Sequence, residues 1–284
     1  MVKKQQFFLA GTGIILLLVL YFFGQTVPPK KKMAANADSG SAKSVGIQEI
    51  LQASKSRLNA SQLDYVDRLE NSVVRGDVKN QQLASYKQLA GFWKDSVKEG
   101  FLLYAYYNGE IAKLENSEKN LTFAAQLFLE NLRGEGDSGL KSWMANQAKS
   151  LFEKALAVNP DNDSSKIGLG ACYIFGSAAE NPQELMQGIQ KILEVARRDT
   201  NNMYAQFMLG LGGIQSGQLD KAVQRLTTVV RRQPRNIEAI LTLGEVNQQL
   251  GNRAEAIKWY GIGKSMIADP VIITEIDKRI KLLQ

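Results

Sequence analysis

The spacing of apolar side chains predicts helices over most of the chain. From residue 47 onward these side chains recur every three or four positions, and no convincing run alternates apolar with polar residues. A period of this kind is typical of amphipathic helices. Breaks in the pattern coincide with the prolines of this region, namely Pro160, Pro182, Pro234 and Pro270. Because proline interrupts helices, an all-α fold is expected.

The N-terminal part has a different pattern. The stretch from Phe7 to Phe23, FFLAGTGIILLLVLYFF, contains no charged residue and predicts a transmembrane helix over 7–24. A cleaved signal peptide is the alternative, but its apolar core is usually shorter and is followed by a small-x-small cleavage site. The longer run here favours an uncleaved anchor. Residues 1–6 then form a short basic N-terminal tail, and the small, polar, proline-containing residues 25–46 form a flexible tether.

The net charge of +7 does not indicate nucleic-acid binding. Five lysines and no acidic residue lie within residues 1–32, and the rest of the chain carries 30 basic and 28 acidic residues. The basic excess therefore flanks the predicted membrane helix, where lysines interact with lipid headgroups. No nucleic-acid partner is expected.

Two consecutive segments of the C-terminal half repeat with a period of 34 residues. Small residues align between them: Gly210 with Gly244, Gly217 with Gly251, and Ala222 with Ala256. An earlier copy carries Gly170, which lies 40 residues before Gly210. Self-similarity at such a period is typical of stacked helical hairpins.

The repeated glycines indicate a packing requirement. Glycine inside a helix costs about 1 kcal/mol relative to alanine, so its recurrence at Gly170, Gly210 and Gly244 favours a close crossing with the neighbouring helix. Ala222 and Ala256 are expected to supply the small partner side of that crossing.

Other repeated positions mark the ends of helices. Gly217 and Gly251 follow the first helix of each hairpin, where a residue with a left-handed backbone is expected. Pro160 and Pro234 follow the second helices.

With these residues, the chain resembles a tetratricopeptide-repeat protein. Each copy has Leu-Gly on its first helix, followed by alanine, a bulky residue, a small residue and proline on its second. The resemblance implies a right-handed superhelix of helix-turn-helix repeats, an α-solenoid, over 134–268. It further implies degenerate repeat helices over 78–133, N-terminal helices over 47–77 and a C-terminal capping helix over 269–284.

The glycines of residues 212–217 also match G-x-x-x-x-G, the skeleton of a phosphate-binding loop. Gln218 and Leu219 stand where that loop needs Lys and Ser/Thr to contact phosphate and magnesium. The segment follows a predicted helix rather than a strand, and Gly217 recurs as Gly251. A structural role for these glycines is therefore favoured over a nucleotide site.

The composition excludes several kinds of chemistry. The chain contains no histidine, and Cys172 is its only cysteine. His-dependent acid–base catalysis, Ser-His or Cys-His nucleophile pairs and zinc–thiolate sites are therefore excluded. No catalytic residue, cofactor or metal is expected. An enzyme that uses carboxylates alone, for example Glu238 and Glu245, is the less favoured alternative.

The resemblance implies that the concave face of the repeats is a binding groove. The groove positions, at four places along each first helix, are Ser164, Ile167, Ala171, Ile174, Tyr204, Phe207, Leu211, Ile214, Glu238, Leu241, Glu245 and Gln248. Relatives that bind a C-terminal carboxylate use Lys and Asn on this face, and neither type occurs at these positions. The middle of the groove is apolar, so it either binds a partner or is filled by the chain's own helices around 47–75.

The expected function is that of a membrane-tethered, non-enzymatic scaffold that binds a protein or peptide. A self-associating structural envelope protein is the alternative, which leaves a homo-oligomer open. The layout resembles bacterial envelope adaptors, with a single inner-membrane span and repeats in the periplasm. Lysines lie on both sides of the span, so a cytoplasmic repeat domain also stays open.

Overall fold

Every regular element in the described part of the chain is an α-helix. The computed structural model describes residues 45–75, 78–176 and 181–284. These ranges contain thirteen helices: α1 (Ile47–Lys55), α2 (Ala60–Arg75), α3 (Lys79–Asp95), α4 (Phe101–Glu115), α5 (Glu118–Leu132), α6 (Ser138–Val158), α7 (Asp163–Gly176), α8 (Pro182–Arg198), α9 (Met203–Gln215), α10 (Leu219–Arg232), α11 (Ile237–Gln249), α12 (Arg253–Lys264) and α13 (Pro270–Leu283). The expectation of an all-α fold is confirmed for them.

The predictions for the N-terminal segment concern residues that the structure does not describe. The basic tail 1–6, the predicted membrane helix 7–24 and nearly all of the tether 25–46 lie outside the described residues. Within the described ranges no helix has both the length and the apolar character needed to cross a bilayer.

Successive helices pack in sequence order as hairpins. The pairs are α3 with α4, α5 with α6, α7 with α8, α9 with α10 and α11 with α12. The first helices of adjacent hairpins also touch, since α7 packs on both α5 and α9. The predicted boundary at residue 134 lies in the turn that joins α5 to α6. The result is a stack in which each hairpin buries the apolar face of its neighbour.

Glycine allows the two helices of a hairpin to approach closely. A Cβ atom added at Gly210 would lie 2.8 Å from Cγ of Leu226, and one at Gly244 would lie 2.6 Å from Cδ1 of Tyr260. Leu226 and Tyr260 are fully buried and lie 34 residues apart, so the same contact repeats with the period of the sequence. At Gly170 the corresponding neighbour is Cγ1 of Ile192, 2.6 Å away.

The side chain that packs on these glycines differs from the expected one. Alanine was expected opposite Gly210, but Ala222 brings only its carbonyl oxygen near that position, at 3.7 Å from an added Cβ. The Ala222 side chain packs one turn later, at Gly213, where an added Cβ would lie 3.2 Å from it. A bulky side chain therefore fills the space above the glycine, because this contact buries more apolar surface than alanine could.

Left-handed glycines end two of the first helices, α9 and α11. Gly217 has a φ of 73° and Gly251 a φ of 78°. After each, the chain folds back, so that the Gln218 amide donates to the Gly213 carbonyl at 2.7 Å and the Asn252 amide donates to the Asn247 carbonyl at 2.9 Å. These bonds satisfy carbonyl groups at the helix end, which only a residue free to adopt positive φ permits at low cost.

Asparagine begins three of the first helices, α7, α9 and α11. The Oδ1 atoms of Asn162, Asn202 and Asn236 accept from the backbone N–H groups of Ser165, Ala205 and Ala239 at 2.7, 3.0 and 3.0 Å. Such caps satisfy amides that have no partner within the helix. Pro160 and Pro234 each stand two residues before a capping asparagine, so the turn between hairpins is specified from both sides.

The two ends of the stack are covered by helices that lie outside the five hairpins. At the N-terminal end, α2 packs on α3, and the Tyr107 hydroxyl of α4 donates to Glu70 of α2 at 2.9 Å. Lys55 of α1 donates hydrogen bonds to Asp67 and Glu70 of α2. Burial alone would lower the pKa of Lys55, but these two bonds outweigh burial and raise it. At the other end α13 packs on α12.

We expect Gly244→Ala to destabilise the protein despite the better helix propensity of alanine. The new Cβ would overlap the buried Tyr260 ring, and overpacking of this kind costs about 1–3 kcal/mol. Gly261→Ala in α12 is the matched control, since no atom lies within 4 Å of an added Cβ there. It should stabilise by about 0.5–1 kcal/mol. Urea unfolding followed by circular dichroism measures both, and equal effects would contradict the crossing.

Candidate binding groove

Two adjoining cavities lie along the first helices. Cavity A, of about 440 Å³, is bounded by α7, α9, α11 and the turn between α5 and α6. Cavity B, of about 580 Å³, is bounded by α5, α9, the start of α11 and the end of α10. Arg133, at the end of α5, lines both cavities. We call the two cavities together the groove.

Seven of the predicted groove residues line it. Cavity A contains Ile174, Leu211, Ile214 and Glu245, and cavity B contains Tyr204, Phe207 and Glu238. Ile167 and Ala171 are fully buried and line neither cavity. Leu241 packs on the cluster of Ala256, Tyr260 and Ile276, and Gln248 accepts a hydrogen bond from the Tyr260 hydroxyl at 2.8 Å. These last two side chains of α11 face α12 and α13 rather than the groove. Ser164 is exposed and lines neither cavity.

The apolar residues of the groove form its floor. Phe207 and Leu211 are 5% and 6% exposed and belong to the main hydrophobic core. Polar side chains are exposed at the opening of the groove, and they include Glu130, Gln215 and Gln233. The groove is therefore a polar opening above an apolar floor rather than an open apolar patch.

Arg133 crosses the centre of the groove. Its guanidinium lies 5.5 Å from the ring centroid of Phe175 on α7 and 5.8 Å from that of Phe207 on α9. It also pairs with the carboxylate of Glu238 on α11, which lies 105 residues away in the sequence. Arg133 has no counterpart at a repeated position, so the periodicity of the sequence gave no reason to select it.

The two candidate carboxylates are each paired with an arginine. Glu238 pairs with Arg133, and Glu245 accepts from Nη1 of Arg279 on α13 at 2.8 Å. A carboxylate pair that works as acid and base needs two groups with different protonation states around one substrate. Two separate ion pairs do not provide that arrangement. No group of three or more His, Cys, Asp or Glu side chains that could hold a metal occurs within the described ranges.

Burial keeps a tyrosine and a cysteine near the groove neutral. It raises the pKa of Tyr204, although the hydrogen bond from Gln126 opposes the change. Burial also raises the pKa of the Cys172 thiol, which is 3% exposed and thus poorly suited to act as a nucleophile. These groups can pack or donate a hydrogen bond, but they do not supply reactive anions.

The N-terminal helices do not fill the groove. Neither α1 nor α2 contributes a lining residue to cavity A or cavity B, and α2 packs on α3 instead. Of the two expectations for the apolar face, occupation by the chain's own helices around 47–75 is therefore not observed. The floor is covered by side chains of the first helices themselves and by Arg133.

Comparisons with known proteins found similar chains among solved structures. No family model matches the sequence, and no match was found among curated proteins. The chain is similar to a solved structure of MamA residues 41 to the end from Desulfovibrio magneticus RS-1, with 17% identity, 65% of this chain and 94% of that chain covered, and a TM-score of 0.44. It is also similar to YrrB, described as a TPR protein with an unusual peptide-binding site, with 16% identity, coverages of 74% and 97%, and a TM-score of 0.42. Because the identities and TM-scores are this low, the fold is assigned from the coordinates of the chain itself.

We expect Phe207→Glu to unfold or strongly destabilise the protein. It places a carboxylate in a site that is 5% exposed, and the cost of removing a charge from water can exceed the attraction to a nearby cation such as Arg133. Gln215→Glu, at an exposed position on the same helix, should change the free energy of unfolding by less than about 0.5 kcal/mol. Thermal unfolding followed by circular dichroism compares them. A Phe207→Glu variant as stable as the unmodified chain would show that the floor is an accessible surface.

Proposed function

We propose that the chain is a non-enzymatic scaffold that binds a partner protein or peptide along the groove. The observation that carries this proposal is the pair of adjoining cavities, which stays open along the first helices after both ends of the stack are capped. Its apolar floor and polar opening match the composition of sites that bind a polypeptide. The right-handed superhelix implied by the repeat resemblance is part of the same proposal.

The side chains at the opening suit the backbone of an extended peptide. The amides of Gln215 and Gln233 are exposed there, and those of Gln126 and Asn236 keep part of their hydrogen-bonding capacity beside their bonds to Tyr204, Gln233 and Ala239. A peptide backbone presents alternating donors and acceptors, which these amides can satisfy without regard to sequence. Because the residues are carried by packed helices, little ordering is needed on binding, and this reduces the entropic cost of association.

Self-association is the second candidate function. It is favoured by the outer face of α13, where Val271 and Leu282 are 75% and 81% exposed. Exposed apolar residues at the end of a stack can be covered by another copy of the chain. The crosslinking experiment below distinguishes the two, because a self-associated chain gives an adduct that contains this chain alone.

The groove proposal predicts position-specific crosslinking in the cells that produce the protein. A photoreactive amino acid at Gln215, inside cavity A, should form an adduct with a distinct protein, whereas the same group at Gln190, on the outer face of α8, should not. The double variant Gln233→Tyr with Ser142→Tyr narrows both cavities at exposed positions and should reduce the adduct at least about fivefold. Gln187→Tyr with Met186→Tyr, on the outer face of α8, is the matched control. Equal adducts from both faces would contradict the proposal.

We further propose that residues 7–24 anchor the scaffold in the bacterial inner membrane, with the repeats in the periplasm. Support comes from the uncharged apolar run and from the resemblance to envelope adaptors. Attachment through the tether 25–46 would raise the concentration of any membrane-bound partner near the groove, which strengthens binding without new contacts.

The anchor proposal predicts that the full chain sediments with membranes and resists alkaline carbonate extraction. Leu16→Arg with Val19→Arg should release it, because each arginine at the centre of a membrane helix costs about 2.5–3.5 kcal/mol. Lys31→Arg is the control that keeps the apolar run intact. Protease added to spheroplasts should digest the repeats. Full protection of the repeats, with intact membrane binding, would place them in the cytoplasm.

A further inference from the structure

The centre of the groove is occupied by a cation of the chain itself. The Arg133 guanidinium contacts the rings of Phe175 and Phe207 and pairs with Glu238. Since Arg133 lines both cavities, it stands at the point where cavity A meets cavity B. A peptide that extends through both cavities must therefore take the place of this side chain.

The contacts of Arg133 allow such an exchange. Its side chain is 32% exposed and that of Glu238 is 56% exposed. Ion pairs with this degree of exposure contribute little to stability, because water solvates both partners almost as well. Arg133 also follows the last residue of α5, so its side chain can turn into solvent without disturbing the helix.

The walls of the groove carry an excess of negative charge. Apart from Arg133, the charged lining residues are Glu130, Glu135, Glu238 and Glu245 against a single lysine, Lys141. Arg279 neutralises Glu245 from α13. Without Glu245 and Arg279, three glutamates still face one lysine. Arg133 neutralises part of this excess negative charge.

We propose that the partner is a basic peptide segment and that Arg133 is its internal competitor. This inference rests on the proposed function and specifies the chemistry of the partner. When Arg133 leaves, two aromatic faces and the carboxylate of Glu238 are exposed, and a cation from the partner restores all three contacts. Arginine fits better than lysine, because its planar guanidinium stacks on aromatic rings and can bind a carboxylate through two N–H groups.

An acidic partner fits the same surface less well. Its carboxylate could replace Glu238 on Arg133, but it would then lie among the glutamates of both cavities. Like charges at such a distance repel, and they leave Glu238 without its counter-ion. The charge of the walls thus favours the basic class, and the acidic class becomes an outcome of the test.

The test measures binding of three labelled octapeptides to the full chain in detergent micelles by fluorescence anisotropy. The peptides alternate alanine with arginine, glutamate or glutamine. The unmodified chain should prefer the arginine peptide. Arg133→Gln should tighten that binding about five- to tenfold, because the internal competitor is gone. Arg133→Lys, which keeps a cation, should give a smaller gain.

Two further variants separate the contact between the partner's cation and Glu238 from the effect of the net charge of the chain. Arg133→Gln combined with Glu238→Gln should lose the gain, since the partner's cation then lacks its carboxylate. Arg198→Gln, which removes an exposed ion pair with Asp163 outside the groove and lowers the net charge equally, should leave binding unchanged within about twofold. Circular dichroism of each variant verifies that it is folded.

The outcomes distinguish the basic-partner inference from the scaffold function on which it rests. Weaker or unchanged arginine-peptide binding by Arg133→Gln, or a preference for the glutamate peptide, overturns the basic-partner inference. If no octapeptide binds any folded variant while the Gln215 crosslink still forms, the inference fails and the scaffold function stands. If the crosslink also fails, the groove itself is not a binding surface.

Discussion

The close approach of paired helices at glycine is the constraint on which the rest of this structure depends. At Gly210 and Gly244 the missing side chain makes room for a bulky residue of the following helix, so each hairpin is joined by the same apolar contact. The glycine lowers helix propensity, and the buried Leu226 or Tyr260 offsets that loss through apolar contact. Left-handed glycines and asparagine caps then fix where each hairpin turns, which brings the first helices side by side.

The groove follows from this arrangement. Neighbouring first helices cover many of the side chains between them, so Ile167 and Ala171 are buried in the core. Ile214 and Gln215 lie at the opening and are more exposed. Chemistry based on activated side chains has little support here. Glu238 and Glu245 at the groove are each paired with an arginine, and the buried cysteine and tyrosine stay protonated because burial disfavours their charged forms. What is left is a surface suited to recognition.

Much of the fold could be predicted from local patterns. A 34-residue repeat, glycines inside helices and glycines after helices each have one dominant physical cause, and the positive φ of Gly217 and Gly251 agrees with it. The site was harder to predict. Position along a helix does not determine what covers a side chain, so Leu241 and Gln248 were assigned to the groove although they contact the last hairpin. Arg133 was missed because its partners Phe175, Phe207 and Glu238 lie on three other helices, and no single repeat shows that they meet.

The pairing of Arg133 with Glu238 also has a mechanical consequence. In a linear array of hairpins, each hairpin contacts only its neighbours. This ion pair instead joins α5 directly to α11 and bypasses the two hairpins between them. The tie is weak, because both side chains are partly exposed, but it connects directly two helices whose paired residues are 105 positions apart in the sequence. A ligand that displaced the arginine would remove this direct connection and leave α5 and α11 linked through the hairpins between them.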